Sequence, residues 1–139
     1  MGIEGAMLRN LVASALLVAV LGCGSGNTAP VNGRVKFKDG GDVSALAGHT
    51  VSFETDGDKM SGYGDIQADG TFKVTTFSPD DGALLGKHRI SVTPPAPPPD
   101  GPLPKPVIHA KYGDLNSSGL TAEIKPGTNN VELELERAK

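Results

Sequence analysis

One cysteine, no tryptophan, two tyrosines and four phenylalanines are all the thiols and aromatic rings in these 139 residues. A single thiol excludes an internal disulfide and any paired-thiol metal site, so burial and strand pairing must hold the folded part together. The lack of tryptophan removes the widest platform on which a sugar could stack. Basic residues are not in excess either. The formal net charge is −3, and lysines and arginines stand singly, which argues against a nucleic-acid partner. His49, His88 and His109 lie far apart, with no His-x-x-x-His, Cys-x-x-Cys or Gly-x-Ser-x-Gly arrangement. The expectation is therefore no metal, no cofactor and no catalytic residues. What the chain has in quantity is turn chemistry, 19 glycines and 11 prolines.

The lone thiol, Cys23, has an informative setting. Arg9 precedes an unbroken run of apolar and small residues from Leu11 to Leu21, and Gly22 stands before the cysteine. A basic start, a short apolar core and a small residue at the cut form the layout of a secretory signal. The run is too short to span a bilayer comfortably, which takes roughly 17–25 residues. Gly24-Ser25-Gly26-Asn27-Thr28-Ala29-Pro30 reads as a flexible tether rather than the continuation of a buried helix. The segment around Cys23 resembles the lipobox of bacterial lipoproteins. That resemblance implies a diacylglyceryl group on the sulfur, with Cys23 as the new N-terminus. The implied location is the cell envelope, lipid-anchored and facing the periplasm or cell surface. Ordinary cleavage leaving a free thiol is the alternative. The expected organisation is a signal peptide at 1–22, a tether at 23–30 and one domain at 31–139.

From Val31 onward the chain is written in period two, the mark of half-buried strands. Val31 to Lys38 alternates Val, Gly, Val and Phe with Asn, Arg, Lys and Lys. Further strands are expected at 50–55, 64–68, 71–76, 87–93, 120–125 and 131–136. Asp69-Gly70 is read as a two-residue hairpin turn between the third and fourth. His88, Ile90 and Val92 are expected to face the core, and so are Leu120, Ala122 and Ile124, and Val131, Leu133 and Leu135. The fold class is all-β, a seven-stranded antiparallel sandwich of two packed sheets, with a small closed barrel as the alternative. The basic stripe Arg34/Lys36/Lys38 and the acidic stripe Glu132/Glu134/Glu136 match in length and oppose in sign. Either the first and last strands lie side by side and pair these stripes on a solvent-facing side, or the stripes are two independently solvated faces.

Two other features ask for a role. Asp56, Asp58, Asp65 and Asp69 crowd one stretch, but the glycine and bidentate glutamate of a calcium loop are missing, so they read as solvated turn carboxylates. Pro94 to Pro106 holds eight of the eleven prolines and predicts a stiff, extended surface loop. It serves either as a plain crossover between sheets or as a contact loop in which Leu103, Lys105 and Tyr112 touch a partner.

Val31-Asn32-Gly33-Arg34-Val35 with Asp39-Gly40, then Val51-Ser52-Phe53, resembles the opening of carboxypeptidase regulatory-like domains. Gly64 to Phe72 is similar to their central hairpin, and Gly86-Lys87-His88-Arg89-Ile90-Ser91-Val92 to a glycine-led strand in which His88 replaces a usual tyrosine. Lys111-Tyr112-Gly113-Asp114 and Pro126-Gly127-x-Asn129 are similar to the tail of small lipoproteins of that kind. The resemblance implies a transthyretin-like (prealbumin-like) sandwich without catalytic activity, and His88 as a hydrogen-bonding plug in the core. The expected function is a non-enzymatic, membrane-anchored binding or structural module of the cell envelope. Its partners would be the membrane, through the N-terminal lipid, and an envelope protein or a glycan. A carbohydrate-binding accessory domain is the alternative, with Tyr63 and Tyr112 as the only tyrosines available.

Overall fold

A computed structural model describes residues 27–57 and 59–139. Cys23, the apolar run before it and Asp58 lie outside the described residues. Nine strands follow in order: β1 (Thr28–Ala29), β2 (Val31–Phe37), β3 (Thr50–Thr55), β4 (Ser61–Asp65), β5 (Thr71–Lys73), β6 (Ala83–Leu84), β7 (Gly86–Thr93), β8 (Leu120–Ile124) and β9 (Asn129–Leu135). They form a four-stranded sheet β4-β3-β7-β8, a three-stranded sheet β5-β2-β9 and the small pair β1-β6. No helix among the described residues is long and apolar enough to cross a membrane.

The two larger sheets share one core, as period-two patterning requires of sheets with one apolar face each. Val31, Val35 and Phe37 of β2 alternate with exposed Asn32, Arg34 and Lys36. They join Phe72, Leu133 and Leu135 against Val51, Phe53, Ile90, Val92 and Ile124 of the facing sheet. Phe53 and Phe72 meet across the layers with ring centroids 6.3 Å apart. His88 packs edge-on against Phe53 at 5.7 Å and places Nε2 2.7 Å from the Leu84 carbonyl oxygen. The all-β, sandwich-like architecture is thus present, with a histidine plug where the patterning put it.

Several expectations need correction. The first and last strands do lie side by side, but β2 and β9 run parallel, in register from Val31↔Asn129 to Phe37↔Leu135. Parallel neighbours need a crossover, and here the whole intervening domain supplies it. The sheet is therefore mixed and the fold not wholly antiparallel. The stripes pair as their signs demand, with Lys36 Nζ 3.1 Å from Glu132 and 3.6 Å from Glu134, and Lys38 3.6 Å from Glu136.

The expected hairpin at 64–76 is a sheet switch instead. β4 pairs with β3, whereas β5 leaves to pair with β2. Buried Ile66 makes the crossing, its N–H donating to the His49 carbonyl at 2.9 Å. The loop spans three residues between Gln67 and Thr71, whose Gln67 N–H donates to Thr71 O at 2.8 Å. Gly70 supplies the left-handed φ of +87°. At Pro126-Gly127 the chain switches back, with the Asn129 amide bonded to both Lys125 backbone groups at 2.9 and 2.8 Å.

The described part of the expected tether, Asn27 to Pro30, belongs to the folded body. Ala29 is buried, and Thr28–Ala29 pairs with Ala83–Leu84. These two-residue strands are too short to show periodicity, which is why only seven strands were legible. A 3₁₀ turn at Ser44–Leu46, whose Ser44 N–H donates to the Asp42 carboxylate at 2.9 Å, drops Leu46 into the core.

Candidate functional site

Among the described residues, a groove of about 850 Å³ runs along the outer face of β5-β2-β9, walled by β4. Register builds its floor. Lys73, Asn32 and Asn130 stand in one row across β5, β2 and β9, and Thr71, Arg34 and Glu132 in the next. Paired residues of adjacent strands share a face, so all six side chains point outward together. β4 contributes Tyr63 and Asp65 on its outward positions, and Gln67 closes the turn end.

Two glycines allow this arrangement. A Cβ on Gly64 would sit 2.1 Å from the Lys73 carbonyl oxygen, so only glycine lets β5 pass this close to β4. A Cβ on Gly33 would fall 2.1 Å from the Phe72 ring, which therefore lies flush beneath the groove floor. The Tyr63 and Thr75 backbones bridge at 2.9 and 2.8 Å, fixing the tyrosine at the rim. Its side chain is 54 % exposed.

The groove's polar heads are mostly open. Among the described residues, the side chains of Asn32, Arg34, Lys73 and Asn130 form no ion pair or hydrogen bond with the rest. Asp69 at the turn is bound instead by the Thr71 hydroxyl and N–H at 2.6 and 3.0 Å. These bonds, with a smaller contribution from Arg34, lower its pKa. An aromatic rim beside amides, a guanidinium, an ammonium and carboxylates can stack a flat apolar surface while hydrogen-bonding hydroxyls.

The outer face of the other sheet is different. Arg89 places Nη2 3.1 Å from Glu54 and Nη1 2.6 Å from Asn116, with Nε 3.4 Å from Asp56. A smaller hollow of about 400 Å³ lies there, between Tyr63, Arg89 and Asn116. Its cation is already held.

The sequence-derived contact residues part company. Leu103 is 81 % exposed, and Lys105 is exposed in a proline-rich loop whose residues 94–106 all lie open to solvent. Tyr112 is 1 % exposed, so it cannot touch a partner. Its hydroxyl accepts the Glu136 N–H at 2.9 Å, and Lys111 pairs with the Glu136 carboxylate, which lowers the Glu136 pKa. Tyr112 is instead a pin that ties the returning loop to the C-terminal tail. Ile108↔Arg137 adds a bridge, and His109 N–H donates to Glu136 O at 3.0 Å.

The acidic stretch is dispersed. Asp56 faces Arg89, Asp65 accepts from Thr50 at 3.1 Å, and Asp69 holds Thr71. Among the described residues no three His, Cys, Asp or Glu side chains gather as metal ligands would. His49 is buried on the Leu46 carbonyl, and desolvation lowers its pKa. The groove residues were not singled out by the sequence, apart from Tyr63 as an available tyrosine, Asp65 as a member of the acidic stretch, and Arg34 and Glu132 as stripe members. They are ordinary outward positions on separate strands, and only register assembles them.

Comparisons with protein-family models, curated proteins and solved structures found no significant match to this chain.

Proposed function

We propose that this chain is a non-catalytic binding module of the cell envelope, anchored through a lipid on Cys23, which seats an extended polar ligand in the β5-β2-β9 groove. The observation that carries the binding reading is the open set of side chains around Tyr63. Asn32, Arg34, Lys73 and Asn130 converge on one concave face without partners of their own among the described residues. The layout of Arg9, the apolar run and Gly22-Cys23 supports the anchor. Stable anchoring takes more than one acyl chain, which a diacylglyceryl group supplies. The sheet pairing, the Asn129-tied Pro126-Gly127 turn and the His88 plug support a transthyretin-like, carboxypeptidase regulatory-like sandwich.

The ligand class favoured by this surface is a glycan. A tyrosine face at the rim suits sugar C–H groups, and amides with mixed charges suit hydroxyls. The test is a glycan array followed by calorimetric titration of the best hit. Tyr63→Ala and Arg34→Ala should each lose binding while keeping the wild-type melting temperature. Binding unchanged in both variants would remove the groove from consideration. Array silence, with a protein crosslinked from host membranes and released when 97–104 is replaced by a Gly/Ser linker, would move the site to the proline-rich loop. For the anchor, wild type should incorporate labelled palmitate and Cys23→Ser should not.

A further inference from the structure

The two ends of the sandwich differ in a way that orients it. β3 runs from Thr50, paired with Thr93, to Thr55, paired with His88. The proline-rich loop follows Thr93 and therefore leaves from the first end. At the second end the chain enters the fold, since the Leu85 N–H donates to the Asn27 carbonyl at 2.9 Å. Three of the five large apolar residues exposed among the described residues stand in the turns and strand ends on that side: Met60, Phe77 and Leu85. Thr55 fixes Met60 there through bonds of 3.1 and 3.2 Å, and Phe77 stands in the bend after the Tyr63–Thr75 bridge, its N–H donating to the Asp81 carboxylate at 3.0 Å.

From these positions, and resting on acylation at Cys23, we infer that the entry end docks on the bilayer. Met60, Phe77 and Leu85 would enter the headgroup–acyl boundary, leaving Leu103 at the far tip. Asn27 is four residues from Cys23, so the chain between them reaches at most about 14 Å. That short reach keeps the entry end at the membrane, where even a small apolar contact is made at high effective concentration. Charges of both signs stand at this end, where Asp56 and Lys87 line one hollow with Leu85. Docking is therefore apolar and does not require anionic lipid.

The chain's lack of tryptophan makes the test direct. Full-length acylated protein carrying Phe77→Trp, Leu85→Trp or Leu103→Trp is reconstituted in phosphatidylcholine vesicles, with and without brominated acyl chains. The expected result is blue-shifted emission, quenched by bromine, at positions 77 and 85, and neither effect at 103. Co-flotation and the intact mass at Cys23 report the anchor separately. Acylated, floating protein in which the indoles introduced at positions 77 and 85 stay unquenched would overturn the docking alone. A blue shift without bromine quenching would assign the patch to a second copy, which also overturns it. An unacylated Cys23 would overturn the anchor and the docking with it.

Discussion

The outer faces of the two sheets carry the same kinds of side chain in opposite states. On β4-β3-β7-β8, Arg89 is bonded to Glu54 and Asn116 and pairs with Asp56. On β5-β2-β9, Arg34 stands beside Asn32, Lys73 and Asn130 with none of them engaged among the described residues. The second sheet is itself divided. Its Lys36 and Lys38 are matched by Glu132, Glu134 and Glu136, and only the half nearest β4 is open. A face whose charges answer one another holds the fold in register, whereas a face with open heads is available to a ligand. Arginine content does not separate the two; cross-strand neighbours do.

The comparison depends first on the junction that creates the groove. Gly64→Ala should cost about 3 kcal/mol or more in chemical denaturation, because its Cβ meets backbone that cannot step aside. A wild-type midpoint in that variant would show that β4 and β5 are not in such close contact. Next comes the closed face. Arg89→Ala should lose about 1–2 kcal/mol, since Glu54 is left largely buried without its cation; the partial exposure of Arg89 keeps the figure below that of a fully buried pair. Equal losses for Arg89→Ala and Arg34→Ala would erase the distinction between the faces.

Between pH 7 and pH 5, acid sensitivity should trace to His49, which belongs to neither outer face. His49 has a pKa lowered by burial, so its neutral form is favoured in the folded state. Its contribution is fully present above the unfolded histidine value near 6.5 and is lost as pH falls through the lower folded value. The denaturation midpoint should drop between pH 7 and pH 5. His49→Asn, whose amide can still donate to the Leu46 carbonyl, should flatten that part of the profile. On the open face, Arg34→Ala and Tyr63→Ala should shift stability by no more than about 0.5 kcal/mol while removing ligand binding, read by melting and titration together. The smallest effect belongs to Lys36→Ala. Its side chain is exposed, and its ion pairs with Glu132 and Glu134 should leave the melting temperature unchanged at high salt.

Much of the fold was legible because a strand with one buried face writes its orientation in every second residue. Val31, Val35 and Phe37, or Leu133 and Leu135, face the core where their alternation puts them. The opposite charge of the outward positions on the same two strands disclosed their adjacency. Direction was not legible, since charge stripes read the same forwards and backwards. The 64–76 segment misled for another reason. A glycine turn between two apolar runs looks alike whether its arms share a sheet or Ile66 carries the chain to a second one. Tyr112 was read as a contact because a tyrosine after a proline-rich loop has no period to mark it as buried. Its hydroxyl finds the Glu136 backbone only after the tail folds back.

The sequence by itself determined the all-β class, most inward residues of each long strand and the exposed proline-rich loop, because these follow from local periodicity and short-range chemistry. Tertiary structure alone decided the parallel pairing of β2 with β9, the sheet switch at Ile66, the burial of Tyr112 and the gathering of Asn32, Arg34, Tyr63, Lys73 and Asn130 around one groove. Those features depend on which strands become neighbours and in what register. Contacts between residues far apart in the chain set both, and no local pattern records them.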